Sequence, residues 1–299
     1  MAHNTTSFLF LILLTLVFVP HPSQSQEKNK ILFFQTDWGR TLPWDTFCEK
    51  TKTAGYDGIE TWFPKNKESL TELETALQKH GLQVIYLAGT DKTIDFASSL
   101  KKYKMDLQAI VAATPAAVNC HTGSDFFTFE QNRAFIEAAN TISKENNIPI
   151  YHETHRGRFS FNLPGTQKYV KAIPDLKLNL DISHWMVVHE SLLENQEPAL
   201  TEVIDRTHHI HTRVGHAEGP QVNDPAAPEW QGTLERHLAI WETIIKKRWA
   251  ENNRPVTITT EFGPPAYMPT LPYTQVPVAD QWQANLFIMQ ALKDKMGVD

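Results

Sequence analysis

Pro149-Ile150-Tyr151-His152-Glu153-Thr154-His155 sets the reading of the whole chain, because it is a short apolar and aromatic run that ends in carboxylate and imidazole side chains. The same design recurs downstream. Lys177 to Asp181 leads into Ile182-Ser183-His184, His209 to Arg213 carries His209-Ile210-His211, and Val256 to Glu261 ends on a carboxylate. Upstream, Ile31 to Gln35, Gly58 to Trp62, Gln83 to Leu87 and Ala117 to Cys120 complete a set of eight candidate strands. Between them lie Pro43 to Ala54, Lys67 to His80, Ile94 to Ala113, Phe129 to Asn146, Gly165 to Ile173, Pro198 to Arg206 and Leu234 to Ala250, each with apolar residues at helical spacing, and Asp280 to Met296 follows the last strand. Strict alternation of eight strands with eight helices predicts an α/β chain folded as a (β/α)8 TIM barrel. A doubly wound open sheet fits less well, since no Gly-rich phosphate turn follows Ile31 to Gln35.

Composition narrows the function. The 299 residues are 41% hydrophobic and 21% charged, as in an ordinary globular protein. The net charge of −6 has the wrong sign for a protein that neutralises phosphates, so nucleic acid is not the expected partner. Cys48 and Cys120 form neither a disulfide framework nor a paired metal spacing, and both read as buried small apolar residues. Phe8 to Val19 is apolar except for Thr15, too short for a membrane-spanning helix of about 20 residues. With Ser23 and Ser25 after it, residues 1–25 read as an export signal, although the leading segment has no Lys or Arg. The expected mature protein is a single barrel domain, residues 26–299, periplasmic or secreted and without stable membrane association. The oligomeric state is left open.

In a barrel the C-terminal strand ends converge on one mouth, where active sites are built. Glu153, Asp181, His211 and Glu261 stand at four successive strand ends, three carboxylates and one imidazole. Singly, such a Glu reads as a capping or surface residue and such a His as a hydrogen-bonded core residue. Together they would be costly to bury without a cation. An oxygen-rich set with one nitrogen suits Mn²⁺, Mg²⁺ or Co²⁺, with Zn²⁺ also admitted. The longest loop, His216 to Gly232, follows the seventh strand, and a loop of that length is usually functional.

With Gly58-Ile59-Glu60 on the second strand and the ordered Glu, Asp-x-x-His, His-x-His and Glu series, the chain resembles the xylose isomerase-like sugar isomerase and epimerase superfamily over nearly all of residues 26–299. The resemblance to its ketose 3-epimerases implies that Glu153, Asp181, His211 and Glu261 hold one divalent metal and that His184 contacts substrate. Two departures stand out. Arg156-Gly157-Arg158 replaces a Glu that follows the first ligand in those epimerases, and the run from Arg213 to Gln221 differs from their loop. Endonuclease IV, in the same superfamily, resembles the chain at His121, Glu153, Asp181, His184 and Glu261. It also needs a histidine where Leu87-Ala88-Gly89-Thr90 stands and an Asp-x-His pair where only Asn223-Asp224-Pro225 occurs.

The implied chemistry is proton transfer next to a sugar carbonyl through a metal-stabilised enediolate. Glu153 and Glu261 are the expected acid and base. His184 and Arg213 are expected to hold hydroxyls or the developing oxyanion, with Glu60, His121, His155, Arg156, Arg158, His216 and Gln221 as further substrate-binding candidates. Trp38, Trp62, Trp185 and Trp230 offer aromatic faces near strand ends or loops. The same site would also serve a lyase or hydratase acting on 3-keto glycosides. A secreted sugar-binding barrel without catalysis is the reading from a different class.

Overall fold

The computed structural model describes Met1, residues 29–251 and residues 254–298; apart from Met1, the expected export signal at 1–25 lies outside the described residues. Eight parallel strands close into a barrel in chain order, with β1 hydrogen-bonded to both β2 and β8. They are β1 Ile31–Thr36, β2 Gly58–Trp62, β3 Gln83–Gly89, β4 Ala117–His121, β5 Ile150–Glu153, β6 Leu178–Leu180, β7 Thr207–His211 and β8 Val256–Thr260. Around them run α1 Trp44–Thr53, α2 Lys67–His80, α3 Phe96–Ala112, α4 Phe129–Asn146, α5 Leu163–Ala172, α6 Ser183–Val188, α7 Glu197–Ile204, α8 Gln231–Glu251 and α9 Gln281–Met296. No helix among the described residues is long and apolar enough to cross a membrane.

Local chemistry explains where the helices begin and end. The Asn66 side chain accepts a bond from Ser69 N at 2.9 Å to start α2, and Gly81 ends it at φ 61°, a left-handed turn that glycine adopts without strain. Thr128 and Gln131 form a reciprocal capping box at the start of α4. Leu73, Ala76 and Leu77 on α2 share one face at i, i+3 and i+4, and that face is buried against the barrel.

The strand period of two sorts the barrel's inside from its outside. Ile59, Val118 and Ile210 point out into the helix layer, in the large apolar clusters. Leu32, Phe34, Ile85, Ala117 and Tyr151 pack as a separate apolar floor. At Gly58 an added Cβ would stand 2.5 Å from the Phe34 ring and 2.5 Å from the Gln83 carbonyl oxygen, so only glycine lets that ring lie across the floor. Above the floor the barrel is polar, with Glu60, Asn119, Glu153, His209, His211 and Thr259 all buried.

The connection from β6 to β7 differs from the expected single helix. The Asp181 carboxylate accepts from Ser183 N at 3.1 Å and Ser183 Oγ at 2.6 Å, which turns the chain at once into the six-residue α6, ahead of α7. Six residues are too few for an apolar period to show in sequence. Among the described residues there are thus nine α-helices rather than eight. The seventh strand also sits two residues earlier than expected, ending at His211, which leaves Arg213 in the loop beyond it.

Candidate active site

Glu153 and His211 close their strands, while Asp181 and Glu261 follow β6 and β8 by one residue. One candidate ligand atom from each of the four lies within 4.8 Å of the others. Glu153 Oε2 accepts from Asn119 Nδ2 at 2.7 Å and is 3.0 Å from His121 Nε2, while Glu153 Oε1 is buried with no hydrogen-bond partner. His211 Nδ1 is 2.8 Å from Glu261 Oε2, and its Nε2 is 3.0 Å from both oxygens of Glu60. Arg213 reaches in from the loop after β7. Its guanidinium donates to Ser183 Oγ at 3.1 Å and to the Asp181 carboxylate, and lies 3.7 Å from Glu261 Oε2.

Burial opposes charge on His211, yet Glu261, Glu60 and Glu153 together hold its imidazole well above the ordinary value. Burial also works against ionised Glu153, and His121 and His211 overcome it, holding that carboxyl well below its usual range. At Asp181 burial pushes the carboxyl up to about 6, against the pull of Arg213 and with the push of Glu261 and Glu153. Three carboxylates packed round one imidazole carry more negative charge than the site neutralises, and one buried oxygen is unpaired. A divalent ion fits both facts. Glu60 against Nε2 would leave Nδ1 of His211 as the metal-facing nitrogen, the usual division of labour in a carboxylate–histidine pair.

A cavity of about 310 Å³ opens onto this cluster, and His121, His155, Arg213 and Glu261 line it together with Trp38 and Trp62. Trp62 is half exposed and meets His121 edge to face at 5.4 Å. His184 lies behind the wall, fully buried. Its Nδ1 accepts from Arg156 Nε at 3.0 Å, its Nε2 is 2.8 Å from Arg213 Nη2, and its ring packs 4.1 Å from that of His155. Arg156 also donates to Tyr267 Oη at 3.1 Å.

Other expected site residues lie away from the cavity. Glu60 sits beneath the cluster, between His209 and His211. Arg158 donates to the Thr90 and Gly123 carbonyls and holds loops together. Gln221 exchanges two bonds with the Gly263 backbone at 2.7 and 3.1 Å, latching the loop after β7 to the loop after β8. The His216 ring lies 4.7 Å from that of Trp230, tilted by 35°, within its own loop. Trp185 is fully buried and donates to the Ser160 carbonyl at 2.8 Å.

Several residues of the site escape the sequence reading. Asn119 bridges Glu60 and Glu153 from β4, and its signal is parity: it is two residues before His121 and so shares its inner face. His209 has the same relation to His211 within the His-x-His run, where the sequence reading gives a role to His211 alone. Asp37 lines the cavity just past β1, its carboxyl pushed up by burial against a bond to the Thr61 side chain. Tyr267 stands 4.7 Å from the Arg213 guanidinium as a further wall. It belongs to an irregular loop, where no period marks a residue.

A comparison with curated protein sequences finds no match. Solved structures do match. A 3-keto-D-glucoside 4-epimerase, YcjR from E. coli, is 15% identical, with a TM-score of 0.59 over 89% of this chain and 100% of that one. A xylose isomerase-like TIM barrel protein from Mycobacterium smegmatis, in complex with magnesium, is 12% identical, with a TM-score of 0.59 over 89% and 98% of the two chains. An AP endonuclease of family 2 from Brucella melitensis is 14% identical, with a TM-score of 0.57 over 79% and 94%. At these identities the likeness shows the fold alone. The family model of the xylose isomerase-like TIM barrel matches residues 48–240, from α1 into α8, and this chain belongs to that family.

Proposed function

We propose that this protein is a divalent-metal-dependent sugar isomerase or epimerase that moves a proton at the carbon next to a carbonyl. The observation that carries the reading is the convergence of Glu153, Asp181, His211 and Glu261 at the base of a cavity, with one buried carboxylate oxygen left unpaired. A divalent ion held by these four side chains would polarise the substrate carbonyl and lower the cost of negative charge on its oxygen. The protein's own groups do the rest. Glu261 is the member of the set that faces the cavity and takes the proton. Glu153, tied to Asn119 and His121, serves as the second carboxylate. His121 and His155 present imidazole nitrogens to substrate hydroxyls, while Trp38, Trp62 and Tyr267 supply aromatic walls for a sugar face. The cavity lies at the small end of the roughly 300–1,000 Å³ range of small-molecule sites, as suits one sugar ring.

The purified protein should hold about one divalent ion per chain. Elemental analysis before and after chelation checks this, with Asp181→Asn and Glu153→Gln expected to lose most of the metal. Metal content indifferent to those substitutions would remove the reading. Turnover on a panel of free sugars and 3-keto glycosides then separates isomerase or epimerase from lyase, since a lyase releases an unsaturated product.

The same proposal places the enzyme outside the cytosol, with residues 1–25 as a cleaved signal, and its substrate as a sugar or glycoside without phosphate. Mass spectrometry of the exported fraction should find an N-terminus at Gln26. An intact Met1 in a cytosolic fraction, or kinetics that favour sugar phosphates, would contradict it.

A further inference from the structure

The opposite mouth of the barrel, at the N-terminal ends of the strands, carries a second cavity of about 490 Å³. Its chemistry is one-sided. Lys177, His208, Arg248 and Arg254 line it, together with the Tyr151 phenol, and none of the described residues lining it is acidic. Arg248 is the telling member. It is only 4% exposed, and its Nε is buried with no hydrogen-bond partner. One face of its guanidinium is fixed from the outside, where Nη2 donates to the Asp205 carbonyl at 3.3 Å and to Glu251 Oε1 at 2.8 Å. On the other side Nη1 lies 3.2 Å from His208 Nε2. The His208 ring is parallel to that of Tyr151, 6.4 Å away and within 2°. The Arg248 guanidinium, paired with Glu251 on its outer edge, is held rigid and loses little side-chain freedom on binding, and Lys177 and Arg254 on the same cavity add the cations that make charge-assisted contacts to an anion.

We propose that this lower mouth is a binding site for a compact, multiply charged oxyanion, a phosphate ester or a polycarboxylate, separate from the metal cluster at the upper mouth. Burial, with Arg248, Lys177 and Arg206 as neighbours, pushes His208 down to about 3, so the ring is neutral near pH 7 and the anion answers to Arg248, Lys177 and Arg254. The site makes no use of Glu153, Asp181, His211 or Glu261. Its fate is therefore independent of the function proposed above.

The test is calorimetric titration of the purified full-length protein with inorganic phosphate and, in parallel, citrate, against sodium chloride at matched ionic strength. Saturable binding beyond the chloride control is expected, unchanged after chelator treatment. Lys177→Gln with Arg254→Gln, both at exposed positions, should weaken it at least about tenfold, since charge-assisted contacts to an oxyanion are the strong ones. Tighter citrate assigns the natural ligand to carboxylates and tighter phosphate assigns it to esters. Absence of saturable binding for both anions, or equal affinity in the double variant, overturns the proposal.

Discussion

Glu261→Gln is expected to lower turnover by roughly 10²- to 10⁴-fold, the usual loss when a positioned acid or base is removed. Glu261 is the member of the four-residue cluster that lines the cavity, and its side chain is 13% exposed while that of His211 beside it is 1% exposed. Gln keeps the shape and one oxygen but cannot accept the proton. Because Glu261 is also a proposed ligand, metal content has to be measured beside the rate: a variant that retains metal and loses turnover locates the defect in proton transfer. Substrate turned over in D₂O by the unaltered enzyme should gain deuterium at the carbon next to the carbonyl, since the abstracted proton waits on a carboxylate that exchanges with water. An active enzyme that incorporates no solvent deuterium would replace the acid and base roles with a direct hydride shift and leave the ligands in place.

The second large effect is on stability in acid. His237 on α8 donates from Nδ1 to the Thr233 carbonyl at 2.8 Å and accepts from Gly215 N at 3.2 Å. Burial pushes this imidazole down to about 4. His152, which meets Thr122 Oγ1 at 2.7 Å behind β5, is pushed down by burial to about 3. Both are neutral in the folded protein, and in the unfolded chain both titrate near the ordinary value of about 6.5. Below that value the unfolded state binds more protons, so the stability each contributes is complete above about pH 6.5 and is lost as pH falls towards the folded values. At roughly 1.4 kcal/mol per unit, each loses about 2–3 kcal/mol by about pH 4.5, and the pair about 5 kcal/mol, a large part of an ordinary domain's total. Chemical denaturation between about pH 7 and pH 4.5 should show this fall. In His237→Gln, which retains a donor and an acceptor, the slope should drop by about one proton; an unchanged slope would assign the acid sensitivity to other groups.

The sequence makes the barrel legible because parallel strands and their helices have different periods and nothing interrupts the alternation. Lys67–His80 and Phe129–Asn146 match their expected helices end to end, each bounded by a capping side chain. The convergence of Glu153, Asp181, His211 and Glu261 is legible for a related reason: a strand end in a barrel has one destination. What the sequence hides is depth. Glu60 and His121 both occupy inner positions, but one lies beneath the cluster and the other lines the cavity, a difference set by register and not by residue type. Gln221 and Arg158 look like mouth residues because they are polar and near strand ends, yet backbone groups of neighbouring loops occupy them. Arg213 enters the cluster only because β7 stops at His211 and the chain turns inward after it.

The polar middle of the barrel also sets how far this protein can be improved. Most barrels fill that space with branched aliphatic layers. Here Glu60, Asn119, His209 and Thr259 occupy it, and Asn179, two residues before Asp181, is fully buried with both polar side-chain atoms unpaired. Replacing buried polar groups by well-packed aliphatics of similar volume commonly stabilises a fold. For an engineer seeking heat resistance, the barrel axis therefore holds both the greatest gain and the greatest hazard. Asn179 touches none of the cluster by hydrogen bond and is the natural place to begin, whereas an aliphatic at Glu60 would release His211 from the group that orients it. Durability and chemistry compete for the same few positions in the centre of this barrel, and the helix layer outside is where they do not.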